Sequence, residues 1–231
     1  MGTNSYMVTT GRVGPVIFYK RGNTYCSRSM PEKVRQTEAT KRRSKEFGKA
    51  SKMGKSVREM LNPVIPIPLN HSGQLRLVKF LFEFLRTGFA IINEFSFSAG
   101  RLLAERWRTA LTITLPAAGM VQVEIPSFVP VASIPEVPKT TVSVTCLFTV
   151  ASMSDDGVAI GSSSSSLEIK YDSVEVPAQT ISIPLSTPVD SILITGMSLQ
   201  FNVVNKDQVE KTTDAAFMPA GIVSIIRVKG D

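Results

Sequence analysis

The side chains able to do covalent or metal chemistry in this 231-residue chain are few and scattered. The single histidine, His71, stands in an Asn-His-Ser-Gly run behind three closely spaced prolines, where a surface loop is expected. A thiol nucleophile needs an imidazole beside it, and only His71 can supply one to Cys26 or Cys146. Cys146 sits in an alternating run beside Val144 and Phe148, so it reads as core. Zinc takes about four Cys, His or carboxylate ligands, and no closely spaced set exists. Asp155-Asp156 in "SDDG" reads as a solvated turn, because further oxygen ligands for calcium do not follow. Gly11-x-x-Gly14 opens no helix and is followed by no Gly-Lys-Ser/Thr, so it is not a phosphate-cradling loop. The expectation is therefore a non-enzyme, with no catalytic residue, no metal, no cofactor and no small-molecule substrate. An active site assembled only in three dimensions from dispersed carboxylates is the enzymatic alternative.

What the sequence does carry is one-sided charge. Residues 1–60 hold 14 Lys and Arg against 4 Asp and Glu, residues 61–110 hold 6 against 3, and residues 111–231 hold 6 against 12. A basic head on an acidic body points to an anionic partner: nucleic acid, a membrane surface, or the acidic part of a neighbouring copy. The candidate contact residues are Lys20, Arg21, Arg35, Lys41, Arg42, Arg43, Lys45, Lys49, Lys52 and Lys55. Their charges would neutralise phosphates in a salt-dependent way, and Tyr19 and Tyr25 would add base stacking. A solvated helix face is the plain alternative. No recognised base-reading module is present, so any nucleic-acid binding is expected to be non-specific.

Several elements must position these residues. "RVGPVIFYK" and "TYCSRS" around Gly22-Asn23 predict a β-hairpin. Phe47, Ala50, Gly54, Val57 and Leu61 recur at steps of three and four, predicting a helix capped by Thr37, with Met53 and Met60 widening its apolar face. Pro63, Pro66 and Pro68 impose an extended connection. A second helix is predicted over Gln74–Arg86, apolar apart from a stripe of Arg76, Lys79, Glu83 and Arg86. A third is predicted over Glu94–Ala110, with Phe95, Ala99, Leu103, Trp107 and Ala110 on one face. Phe47, Val57, Phe80 and Phe84 are the residues expected to pack on a partner; insertion of Phe80, Phe82 and Phe84 into a membrane interface is the less favoured use of that surface. No stretch is long and uncharged enough to span a bilayer.

From Leu111 the texture becomes short strands, including "LTITL", "MVQVEI", "TTVSVTCLFTVAS", "LEIKYDSVEV", "TISIPL", "SILIT", "SLQFNVV" and "GIVSIIRV". Ser162–Ser166 reads as a low-complexity loop, and the prolines from Pro126 to Pro138 as a stiff segment. The fold class expected is α+β: an N-terminal β-hairpin and helices followed by an antiparallel immunoglobulin-like β-sandwich. The expected divisions are a basic hairpin-helix arm over 1–61, a helical middle over 62–110 and the sandwich over 111–231. Two distant cysteines and no secretory start predict free thiols and a cytoplasmic or virion location.

The head also carries G-x-V-G (Gly11 to Gly14), Tyr19-Lys20, Arg28 to Pro31 and Arg35 to Ala39, and the tail carries "ISIPL…SLQFNVVNKDQ…IVSIIRV". In these elements most of the chain resembles a group of uncharacterised Bacteroidetes proteins with a basic head and an immunoglobulin- or fibronectin-like tail. The proline-rich segment and the serine run depart from that pattern. The resemblance implies the layout and no activity. The function expected is a non-enzymatic structural or assembly protein, a homo-oligomer or part of a larger assembly, with a phage or prophage particle as one setting. Its basic arm would contact a neighbouring subunit or nucleic acid. The alternative is a cellular nucleic-acid-binding protein whose β-sandwich serves interactions.

Overall fold

A computed structural model describes residues 10–30, 37–88, 95–98, 102–117, 119–185, 190–206 and 208–228. The chain forms mixed helix and antiparallel sheet in two compact units, Met1–Arg43 and Ser44–Asp231. In the first, the expected hairpin gains a strand: β1 (Gly11–Val13), β2 (Val16–Arg21) and β3 (Thr24–Ser29) form a small sheet in that order. None of its described residues is buried.

The second unit is organised by two long strands, β6 (Thr141–Ser154) and β9 (Ser191–Asn205), paired antiparallel. β7 (Ala159–Lys170) flanks β6, while β10 (Gln208–Lys211) and β11 (Ala220–Val228) pair in succession along the far edge of β9. A second sheet has the order β4 (Thr112–Ala117), β5 (Met120–Ile125), β8 (Gln179–Pro184). Because side chains alternate across a strand, β6 and β9 feed two cores. Val144, Cys146, Phe148, Val150, Leu193, Met197, Leu199 and Phe201 share one with Val121, Val123, Ile125 and Ile183 of the second sheet. Ala151, Met153, Ile192 and Ile194 face the other way. There they meet Ala50, Met53 and Val57 of α1 (Glu38–Met60) and Leu77, Leu81 and Phe84 of α2 (His71–Thr87).

The helix ends follow their capping residues. The Thr40 N–H donates to Thr37 Oγ1 at 3.2 Å, the expected N-cap of α1. α2 begins earlier than its apolar pattern, at His71, because the Asn70 side chain accepts the Gly73 N–H at 2.8 Å. It ends where Gly88 turns to φ +72°. Between the helices the prolines permit a 3₁₀ turn, Asn62–Val64, and then irregular chain that bends at Pro66 and Ile67 in place of a fully extended connection.

Three expectations change. The third helix over Glu94–Ala110 is not formed as such; Glu94 and residues 99–101 lie outside the described residues. Residues 95–97 run instead along the edge of β11, where Phe97 N–H donates to Ala220 O at 2.8 Å and Ile222 N–H to Phe95 O at 3.2 Å. Only Leu103–Arg106 is helical (α3). Unsatisfied strand-edge groups outweigh a local helical periodicity here. Gly221 makes the approach possible, since a Cβ there would stand 2.7 Å from Phe95 O. Second, Ser162–Ser166 is the middle of β7, not a loop: its ladder with β6 supplies the pairing, and an exposed face asks for no apolar side chains. Third, the larger unit begins inside α1 at Ser44, so most of that helix falls in the body, where the sequence reading has the arm run to residue 61. The proline-rich segment is a packed corner. It includes the short helix α4 (Pro130–Ser133) and the fully buried Ile134. The rings of Trp107 and Phe128 meet at 5.2 Å.

The turn between β6 and β7 is docked on α1. Ser56 Oγ donates to Gly157 O at 2.8 Å, and Gly157 has φ +79°. A Cβ at Gly157 would fall 2.6 Å from Met53 Cγ and 2.8 Å from Met53 N. Gly157→Ala combines left-handed strain with overpacking and should destabilise the protein by about 2–4 kcal/mol in urea denaturation. A loss below about 0.5 kcal/mol, the range of ordinary surface substitutions, would show that this contact does not hold the turn.

Candidate nucleic-acid interface

Helix α1 has two faces with different duties. Ala50, Met53, Gly54, Val57 and Met60 are buried. On the opposite side of the part within the larger unit, Lys45, Lys49, Lys52 and Lys55 step by four, three and three residues, which keeps neighbours in the row adjacent. From Lys45 to Lys55 this row extends about 15 Å at about 1.5 Å per residue. Every residue from Thr37 to Lys45 is exposed. Glu38 in the first turn and Arg58 in the last complement the helix dipole.

Carboxylates answer only part of this charge. Lys41 pairs with Glu38 at 2.7 Å, and Lys55 approaches Glu59 at 3.9 Å. Lys49 reaches across to Asp156 of the β6–β7 turn at 2.8 Å. Arg43, Lys45 and Lys52 have no ion pair within 4 Å among the described residues. The hydrogen bond and charge of Lys49 hold the Asp156 carboxyl below the usual carboxylate range, with Lys52 and Lys45 adding to the effect. Asp156 in turn raises Lys49 above the ordinary lysine value. The turn is solvated, as the sequence reading has it, and its exposed Asp156 meets the lysine row at Lys49. Asp155 of the same turn lies 3.5 Å from Arg227.

The other expected site residues divide. Lys20 and Arg21 are exposed on β2, but adjacent strand residues point to opposite faces of the small sheet. The register pairs Lys20 with Tyr25 and Tyr19 with Cys26, so the two tyrosines also face opposite ways and form no single stacking platform. Each tyrosine carries a cation instead, Lys20 at 5.5 Å from the Tyr25 centroid and Arg28 at 5.9 Å from that of Tyr19. Arg42 and Arg43 lie in the exposed first turns of α1. Arg35 lies outside the described residues.

Of the four residues assigned to partner packing, Val57 and Phe84 are corrected: both are buried in the chain's own core. The β6–β9 face supplies the cover that the sequence alone left unassigned. Phe80 is half-buried against Phe95 at 5.1 Å, and Phe47 is exposed beside Phe82 at 6.2 Å. Cys26 and Cys146 are free, and burial pushes the Cys146 thiol far above its ordinary range. Among the described residues no three His, Cys, Asp or Glu side chains gather as a metal site, and no helix is long and apolar enough to cross a membrane.

Sequence reading missed Arg58, although it lies three residues beyond Lys55 in the same progression. It also missed the buried Arg106, which donates to the carbonyl oxygens of Pro135 and Glu136. No sequence period marks Arg106, because its partners are some 30 residues away.

The Lys49–Asp156 pair fixes a pH signature. Its stabilising effect is present at neutral pH, fades as pH falls through the lowered Asp156 value, and fades again above the raised Lys49 value. Thermal melts of wild type and Asp156→Asn should therefore differ at neutral pH and converge on acidification. A difference that persists at acid pH would separate the turn's stability from this ion pair. No protein-family model, no curated protein and no solved structure matches the chain.

Proposed function

We propose that the protein is a non-enzymatic structural protein that holds nucleic acid, without base specificity, through the basic face of α1. The observation that carries this is the lysine row itself. It is ordered by a buried opposite face, pinned at Lys49, and bears at Lys45 and Lys52 cations that have no ion pair among the described residues. The covering of Val57 and Phe84 by the chain's own sheet removes much of the apolar helix surface available to a neighbour, while the charge remains exposed.

The β domain supports an immunoglobulin-like reading. Counting from β4, the sheet β4-β5-β8 follows the A-B-E order of such modules, and β6, β9 and β11 follow C-F-G. β7 departs from the constant-type pattern by staying beside its hairpin partner β6. Domains of this kind serve interactions more often than catalysis, which is an analogy of architecture. A phage or prophage particle, where an arm and a β domain divide such labour, is one setting.

A second reading has the row contact the acidic flank of another copy, favoured by the excess of acids after residue 110. Light scattering on a sizing column, with absorbance at two wavelengths and at low and high salt, separates the two. The nucleic-acid reading predicts a species that sheds nucleic acid at high salt. Four neutralised phosphates would give a slope of about −3 in log K against log salt for a single strand. Charge reversal by Arg42→Glu, Arg43→Glu and Lys45→Glu should abolish that binding and leave the fold intact. A salt-sensitive oligomer free of nucleic acid would support the second reading, and a salt-independent monomer without nucleic acid would overturn both.

A further inference from the structure

We propose that the groove between α1 and α2 is a second, more enclosed anion site that grips a single phosphoryl group. The groove has a volume of about 370 Å³, at the small end of ligand pockets. Lys52, Lys55 and Arg58 line it from α1, His71 and Gln74 line it from α2, and the buried Val78 contributes to its wall. The three cations follow one another at steps of three, so the row winds round α1 toward α2 instead of running straight on.

Among the described residues no carboxylate lines the groove. Lys52 has no ion pair within 4 Å among the described residues, and the only carboxylate paired with Lys55 is Glu59 at 3.9 Å. Gln74 is held by donating from Nε2 to Leu69 O at 3.0 Å, which orients the amide and leaves it a second N–H. Two lysines, a planar guanidinium, an imidazole and an oriented amide surround one concavity. That is a donor-rich, acceptor-poor set, suited to the several acceptor oxygens of a phosphate. The imidazole and amide come from a different element than the lysines, so the groove offers a pocket where the lysine row offers only a surface. As a site for a polymer's backbone phosphate the inference rests on the nucleic-acid reading; as a site for a small phosphoester it does not. The shared chemistry is the phosphoryl oxyanion.

The test is an NMR titration of the isotopically labelled full chain with pyrophosphate and, separately, with a short single-stranded oligothymidine. Pyrophosphate should shift the backbone amides of His71 and Gln74 saturably. The pair Arg58→Gln, His71→Gln should weaken that response about tenfold, the order expected for loss of charge-assisted contacts. The arm variant Arg42→Gln, Arg43→Gln, Lys45→Gln should leave the pyrophosphate response unchanged. If that groove pair perturbs the helix start, Lys52→Gln, Lys55→Gln makes the same test from exposed positions. Shifts of the same amides by oligothymidine identify a polymer backbone as the source. Shifts of these amides by pyrophosphate alone identify a small phosphoester and leave the groove standing; only oligothymidine that shifts no amide of the chain sinks the nucleic-acid reading. Absence of saturable shifts at His71 and Gln74, or shifts indifferent to both groove variants, overturns the proposal even if oligothymidine binds elsewhere.

Discussion

Strands β6 and β9 are long and carry large apolar side chains on both faces, and this double-sided surface is the constraint on which the larger unit depends. A sheet with one wet face needs one cover; this one needs two, of different material. The second sheet supplies one through Val121, Val123, Ile125 and Ile183, and the helices supply the other. Full burial of a Leu, Val or Phe side chain contributes about 1.5–3 kcal/mol, so removing either cover would expose more than the fold's marginal stability can tolerate. The helices are accordingly part of the core.

That constraint also explains why α1 can carry so much charge and remain a helix. Its Lys- and Arg-rich sequence would be marginal alone in water. Packing of Ala50, Met53 and Val57 on the sheet stabilises the second half, and the β6–β7 turn adds the Ser56–Gly157 hydrogen bond and the Lys49–Asp156 pair. The site and the scaffold are coupled through one four-residue run, "SDDG", whose carboxylates face cations on α1 and β11.

Periodicity made much of this legible. The buried face of α1, the apolar α2 and the alternation of Val144, Cys146, Phe148 and Val150 all follow from spacing. What spacing could not reveal is which surface covers which. Val57 and Phe84 look like partner-facing residues until the β6–β9 face is known to need them. Residues 95–97 look helical until the open edge of β11 is known to need donors and acceptors. The role of Asp155-Asp156 was hidden for the same reason, since Lys49 lies over 100 residues away. The serines of β7 misled differently: composition suggests a loop, while backbone pairing with β6 is indifferent to composition.

Those serines have a consequence for solubility. Among the described residues β7 pairs only with β6, which leaves its outer backbone groups open along much of its length. Such an edge invites strand addition from other chains, and proteins commonly blunt it with lysine, proline or a bulge. From Ser162 to Ser166 the strand has no charge, no proline and no apolar side chain. A row of hydroxyls binds water well and offers no dry surface against which a second sheet could interdigitate. The edge is protected by removing the reward for stacking, not by blocking the approach.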